Sequence, residues 1–190
     1  MRMANVRTFI AVNLGSSLHE KLAEVLEKFA SSKASVKWVT PENAHLTLKF
    51  LGNVEESRLP DVSAACKRAV QGSKPVDIEV RAVGCFPTMK RPRVVWLGIQ
   101  KGADELKELQ HKVEAELERV GFPREDREFK AHLTIGRVKG QQGLSRLCQL
   151  IEAERGIFIG PMCVEKISIM KSQLRPAGPI YTELEAIPLE

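Results

Sequence analysis

Hydrophobic and polar residues follow two periodicities along the chain, and these predict strands and helices in alternation. Short apolar runs and alternating stretches predict β-strands over residues 7–13, 36–39, 75–83, 93–99, 164–171 and 181–187. Apolar residues spaced three or four positions apart predict amphipathic helices over residues 18–29, 57–70, 106–120 and 140–153. The first helix is expected to begin at a capping box formed by Ser17 and Glu20.

Two stretches are near copies of each other, residues 44–50 (AHLTLKF) and residues 131–137 (AHLTIGR). Each copy predicts a strand whose side chains alternate between two faces. In the first copy, His45, Thr47 and Lys49 would share a polar face, and the apolar residues between them would face a core. The Gly-Asn pair that follows this copy is expected to end its strand.

The same order of elements surrounds both copies, because an apolar strand and a helix precede each one. His132 follows His45 by 87 residues (132 − 45). A period of this length is too long for a solenoid and indicates two pseudo-symmetric lobes that face each other. We therefore predict a single bilobal domain over residues 1–190, built from repeat units at about residues 7–85 and 93–171.

Composition is that of a globular protein, since 43% of the 190 residues are hydrophobic. The formal net charge of +5, from 29 basic and 24 acidic side chains, favours anionic partners. The four cysteines are widely spaced without a C-x-x-C pair, which argues against a zinc site or a disulfide framework. No apolar run approaches the roughly 18 residues of a membrane span. We therefore expect a cytoplasmic protein with no membrane partner.

Two imidazoles on facing strands suit chemistry at phosphorus. A histidine has an ordinary pKa of about 6.5 and can accept or donate a proton near neutral pH. His45 and His132 could therefore divide the roles of base for an attacking hydroxyl and acid for a leaving oxygen. Thr47 and Thr134 could donate hydrogen bonds to the non-bridging phosphate oxygens. This chemistry needs no metal and no cofactor.

A purely structural pair is the alternative. One His-x-Thr sequence on a strand is a common coincidence, and a duplication can preserve a motif that has no chemical role. Two copies at matched positions favour chemistry, because a polar face contributes little to packing. His19 and His111 lie off the apolar stripes of their predicted helices and are expected to be solvated.

Several segments together resemble a known family. They are the motifs HLTLKFLG and HLTIGR, the first strand RTFIAV, the segment WVTPEN and the segment RPRVVWLGI. From about Arg7 to Tyr181 the chain resembles the 2H phosphoesterase superfamily, and within it the RNA 2′,3′-cyclic phosphodiesterases, also called 2′-5′ RNA ligases. The resemblance implies an α+β, bilobal, pseudo-symmetric fold with two antiparallel β-sheets lining a central cleft and helices outside.

The resemblance also implies an activity and roles for individual residues. Members open a terminal 2′,3′-cyclic phosphate to a 2′-phosphate without a metal, and some join 2′-5′ ends in the reverse sense. By position, His45 would be the proton donor to the leaving O3′, and His132 would be the proton acceptor that activates water. Thr47 and Thr134 would bind the phosphate oxygens. The near symmetry of the motifs does not by itself decide which histidine is the acid.

Two basic residues are further candidates for binding phosphate. Lys49 shares the predicted inward face and would contact phosphate or be an ordinary solvated lysine. Arg137 matches the arginine that ends the family's second motif. Arg137 lies an odd number of residues after His132, so strict alternation puts it on the opposite face of the strand unless Gly136 breaks the register. Ala131 stands where many members have proline, and we expect no loss of chemistry from that difference.

The expected partners are RNA ends, including tRNA-derived ends, or nucleotide 2′,3′-cyclic phosphates, bound by a monomer. The basic clusters at residues 90–93 and 137–139 would follow a phosphate backbone or be solvated loops. The aromatic residues that could stack on a base or belong to the core are Phe9, Trp38, Phe50, Trp96 and Phe129. The alternative functions are a phosphodiesterase for a small cyclic nucleotide and a non-catalytic protein that binds RNA or phosphate.

Overall fold

The computed structural model describes residues 4–176 and 178–189. Its strands are β1 (Asn5–Asn13), β2 (Val36–Trp38), β3 (His45–Glu55), β4 (Val76–Thr88), β5 (Arg91–Ile99), β6 (His132–Val138), β7 (Phe158–Val164), β8 (Lys166–Arg175) and β9 (Gly178–Pro188). Its α-helices are α1 (His19–Ala30), α2 (Leu59–Val70), α3 (Ala103–Arg119) and α4 (Leu144–Ala153). Within these described ranges, no helix combines the length and the apolar character needed to cross a membrane.

All nine strands belong to one antiparallel sheet with the order β7-β4-β5-β6-β3-β1-β8-β9, and β2 pairs with β6. The sheet has two halves, which meet where β3 and β6 pair through Leu46 and Leu133. On either side of this junction the order is symmetric, with β3 matching β6, β1 matching β5 and β8 matching β4. The predicted α+β fold with two pseudo-symmetric antiparallel sheets is confirmed, and the two sheets are continuous at this junction.

The two sheet halves do not coincide with the two sequence repeats. Strand β4 belongs to the first repeat but pairs with β5 and β7 of the second. Strand β8 belongs to the second repeat but pairs with β1 of the first. Each half of the sheet is therefore completed by a strand that the other repeat supplies.

The helices cover the core face of the sheet in two groups. Helices α2 and α3 pack together, mainly against the half that contains β3 and β9, and α3 also contacts β4. Helices α1 and α4 pack against the half that contains β2, β4 and β7. Their apolar faces join the inward-facing strand residues in one large cluster of buried side chains. The opposite face of the central strands is left free to carry the polar residues of the two motifs.

Two local predictions are wrong and one strand is missed, each for an identifiable reason. A 3-10 turn over Ser16–Leu18 precedes α1, and no side chain caps the helix, so the predicted capping box does not form. Gly52 adopts a φ of +72° within a β-bulge and lets β3 continue to Glu55 instead of ending it. Strand β7 was not predicted, because its sequence FIGPMCV contains a glycine and a proline, which are tolerated at the edge of a sheet.

Candidate active site

A β-bulge occurs at the same position in both motifs. In the pairing of β1 with β3, Leu48 has no partner residue on β1, and it lies three residues after His45. In the pairing of β5 with β6, Ile135 has no partner residue on β5, and it lies three residues after His132. A bulge places two consecutive residues of one strand against a single partner position. The strict alternation of faces therefore fails just beyond the threonine of each motif.

The first bulge turns Lys49 away from the cleft. Its side chain is only 1% exposed, and Nζ donates to Glu114 Oε2 at 2.5 Å and to the carbonyl oxygen of Pro123 at 2.7 Å. Phe50, the next residue, is exposed instead. The prediction that Lys49 shares a face with His45 is wrong, because it assumed an unbroken period of two, and the buried ion pair with Glu114 argues against a contact with phosphate.

The second bulge has the opposite consequence for Arg137. Gly136 takes the inward position, where a Cβ would lie 2.7 Å from Cε3 of Trp38. Arg137 is exposed, and its guanidinium is near enough to His45 and His132 to lower the pKa of both imidazoles. The structure thus places Arg137 beside the histidines, as expected if the register breaks near Gly136.

The two histidines are anchored in the same way. Nδ1 of His45 donates to the carbonyl oxygen of Asn43 at 2.8 Å, and Nδ1 of His132 donates to that of Lys130 at 2.6 Å. A carbonyl oxygen can only accept, so Nδ1 carries the proton in both rings. In each ring Nε2 is left to exchange a proton with a ligand.

The antiparallel junction brings the two motifs face to face. Leu46 and Leu133 are direct partners, and both are buried. The residues on either side of each leucine therefore point to the other face, with the histidine of one strand across from the threonine of the other. The side chains on this face are His45, Thr47, His132 and Thr134, all half-buried. Two potential proton carriers and two hydroxyl donors therefore surround a common space.

Both imidazoles have pKa values below the ordinary one. Burial is the largest cause for His45 and for His132, because it disfavours the charged imidazolium. The hydrogen bond to the backbone carbonyl raises each pKa, and the positive charge of Arg137 lowers it further. The net lowering of both pKa values favours neutral rings at neutral pH, and a neutral ring can accept a proton.

Aromatic side chains surround the two histidines differently. The ring of His45 lies 4.9 Å from that of Phe9 and 5.0 Å edge-on from that of Tyr181. The ring of His132 meets Phe86 edge-on at 5.2 Å, and Phe86 lies against Trp96. These rings exclude water from one side of each imidazole and explain much of its burial.

Sequence reasoning missed Tyr181 and Phe86 as site residues. Tyr181 comes from β9, and Phe86 comes from the part of β4 beyond the predicted strand. Neither lies in a motif, and both reach the site only through the pairing of distant strands. Of the aromatic residues considered from the sequence, Trp38 and Phe129 pack against the core.

Comparison with known proteins places the chain in a family. A model of the family described as "LigT like Phosphoesterase" matches residues 13–96 and, a second time, residues 97–181. A Methanothermobacter thermautotrophicus protein named "RNA 2′,3′-cyclic phosphodiesterase" is 38% identical over 97% of this chain and 99% of its own length. An Aquifex aeolicus protein of the same name is 34% identical over 96% of this chain and 97% of its own.

Solved structures agree with these matches. The crystal structure of TT0787 of Thermus thermophilus superposes with a TM-score of 0.81 at 31% identity, covering 96% of this chain and 97% of that one. Escherichia coli LigT complexed with 3′-AMP shares the fold, with a TM-score of 0.78 at 22% identity over 98% and 99% of the two chains. With its two family matches and its pair of symmetric His-x-Thr strands, this chain belongs to the LigT-like phosphoesterase family.

Proposed function

We propose that the protein hydrolyses the terminal 2′,3′-cyclic phosphate of RNA to a 2′-phosphate, without a metal ion. The observation that carries this proposal is the pair of imidazoles, each fixed through Nδ1 and each presenting Nε2 to the same space. The curated relatives named RNA 2′,3′-cyclic phosphodiesterase support the choice of substrate. One chain contains the whole arrangement, so we propose that it acts as a monomer.

The reaction divides between the two histidines. His132 accepts a proton from water while the water oxygen attacks phosphorus, and the bond from phosphorus to O3′ breaks. His45 acts as the imidazolium, protonated at both ring nitrogens, and donates the Nε2 proton to O3′, which leaves as the 3′-hydroxyl while the phosphate remains on O2′. Thr47 and Thr134 donate hydrogen bonds to the non-bridging oxygens, and Arg137 offsets their negative charge. A 5′-hydroxyl in place of water would give a 2′-5′ linkage by the same steps.

The proposed activity can be tested on a short RNA that ends in a 2′,3′-cyclic phosphate, with EDTA present. We expect a 2′-phosphate, identified by its resistance to an enzyme that removes only 3′-phosphates. A 3′-phosphate would mean that the other ester bond breaks. Strong inhibition by EDTA that added metal restores would contradict the metal-free mechanism.

Replacing either motif threonine with valine should slow the reaction without unfolding the protein. Valine keeps the shape of Thr47 or Thr134 but cannot donate to the charged phosphate oxygens. Loss of one such donor costs about 10²-fold in kcat. The matched control is Thr182→Val, which alters an exposed threonine on β9. Equal kcat values for Thr134→Val and Thr182→Val would exclude a donor role for Thr134.

The pH dependence of kcat/KM should be bell-shaped and displaced toward acid by the low pKa values of the two histidines. The acidic limb reports His132, which must be neutral to accept a proton, and the alkaline limb reports His45, which must be protonated. Arg137→Gln removes a positive charge that disfavours both imidazolium ions. Both pKa values should then rise, and both limbs should move to higher pH.

The control for this shift is Arg7→Gln. The charge of Arg7 lowers the pKa of Tyr181 but is not among the causes of the shifts at His45 and His132. We expect the Arg7→Gln profile to match that of the unmodified protein. If the Arg137→Gln profile moves to lower pH, or if only one of its limbs moves, the charge of Arg137 does not act on both histidines as proposed.

A further inference from the structure

The two basic clusters of the sequence meet at one end of the sheet. The turn between β4 and β5 and the segment that follows β6 together form a groove of about 300 Å³. Its basic lining residues are Lys90, Arg91, Arg93 and Lys139. We call it the basic groove.

In the part of the chain that the structure describes, no carboxylate neutralises these four side chains. Ten cations elsewhere in the chain form ion pairs, but none of the four has an Asp or Glu oxygen within 4.0 Å among residues 4–176 and 178–189. Like charges held together without counter-charges repel each other, and a polyanion relieves that repulsion. The groove therefore favours a ligand that carries several negative charges.

The loop that carries Lys139 is held in place by the backbone. The amide of Lys139 donates to the carbonyl oxygen of Ser35 at 2.7 Å, and the amide of Ser35 donates to that of Gln142 at 3.1 Å. Gly143 has a φ of +69°, and a Cβ there would lie 2.7 Å from the backbone of Ala34. Because this backbone is already fixed, binding of a ligand at Lys139 does not have to order the loop.

The basic groove continues the row of phosphate-binding candidates along β6. His132 begins the strand, Arg137 lies near its end, and Lys139 follows it. Arg137 is also the partner of Val94 on β5, one residue from Arg93. Seven residues of extended chain from His132 to Lys139 span roughly 20 Å. An RNA whose 3′ end lies at the histidines could therefore continue past Arg137 into the groove.

We propose that the basic groove binds the backbone phosphates of the nucleotides that precede the terminal cyclic phosphate, so that the preferred substrate is an RNA strand and not a mononucleotide. This inference rests on the proposed function for the position of the RNA end. It adds a second contact region, which makes catalytic efficiency depend on substrate length and on salt.

The test compares two substrates of one reaction, cytidine 2′,3′-cyclic phosphate and a single-stranded RNA of about ten nucleotides with the same 3′ end, a length typical of single-strand sites. The variant Arg91→Glu/Lys139→Glu should lower kcat/KM for the RNA by about 10-fold or more, because two phosphate contacts become repulsive. For the mononucleotide, which cannot reach the groove, the change should stay within about twofold. The slope of log kcat/KM for the RNA against log salt should become shallower by about 0.7 for each phosphate that the variant no longer binds.

The matched control is Lys74→Glu/Lys101→Glu, which makes the same change in charge. Both lysines are exposed, and they flank the other end of the β4-β5 hairpin, roughly 40 Å along the strand from its turn. The control should reduce RNA turnover by less than about threefold, which measures the general effect of net charge on association. Equal losses in the two variants would overturn the proposal.

The remaining outcomes separate this inference from the proposed function. Loss of turnover on both substrates to the same extent, with Arg91→Glu/Lys139→Glu still folded, would mean that these residues act at the reaction site and would overturn the inference. If the unmodified protein turns over neither substrate, the proposed function fails, and RNA binding is then measured directly by fluorescence anisotropy. Weaker RNA binding by this variant than by the control would then support RNA binding in the basic groove, although the proposed hydrolysis has failed. Equal RNA binding by this variant and by the control would overturn the inference.

Discussion

Replacing His132 with alanine is expected to lower kcat on a terminal 2′,3′-cyclic phosphate by about 10²- to 10⁴-fold, the contribution of one general acid-base group. His45→Ala should cause a loss of the same order. The affinity for RNA should change little, because the threonines and Arg137 remain in place. Single-turnover kinetics with saturating enzyme would measure the loss at the chemical step.

The double variant separates cooperative from independent action. If the acid and the base act in one concerted step, His45→Ala/His132→Ala should be scarcely slower than either single variant, because groups that act as a unit are not additive. His111→Ala is the control, since it removes an exposed imidazole from α3. Retention of more than about a tenth of the rate by either motif variant would rule out the paired mechanism.

Lys49→Met is expected to reduce the free energy of unfolding by about 3–5 kcal/mol, because it leaves the buried Glu114 carboxylate without its cation. The two side chains are 1% and 6% exposed, and Gln110 supplies the only other side-chain hydrogen bond to Glu114 among the described residues. The change would appear as a lower denaturant midpoint with an unchanged slope of unfolding.

A second substitution tests this explanation. Lys49→Met/Glu114→Leu replaces the ion pair with apolar side chains of similar volume and should recover most of the lost stability. Below the unfolding transition, kcat for both variants should remain within about tenfold of that of the unmodified protein, a smaller loss than removal of a phosphate contact causes. A folded Lys49→Met protein with a loss of kcat above about 10²-fold would return Lys49 to the phosphate site.

Sequence periodicity predicts most of the elements and the faces of the two histidines. The prediction holds for residues before each bulge, since His45 and Thr47 obey a simple period of two. It fails at Lys49, because a bulge is set by the pairing of two strands and not by the residues of one. Tyr181 was missed for a related reason, since the closure of the sheet alone brings β9 beside His45.

The two bulges show how a symmetric backbone carries different chemistry. The residues that follow the bulge are Lys49 and Phe50 in the first motif and Gly136 and Arg137 in the second. In the first motif the charged side chain points inward and ties the sheet to α3 through Glu114. In the second the charged side chain points outward to the cleft. The same backbone shape thus contributes stability in one repeat and a cation beside the histidines in the other.

The exchange of β4 and β8 between the halves of the sheet has a consequence for the origin of the fold. A chain that encoded one repeat alone would lack the strand that completes its own half. It could complete the sheet only by exchanging that strand with a second copy, in a domain-swapped homodimer. Such a dimer would place one histidine from each subunit at its two-fold axis. Gene fusion would then have joined the two subunits and allowed the residues after each bulge to diverge.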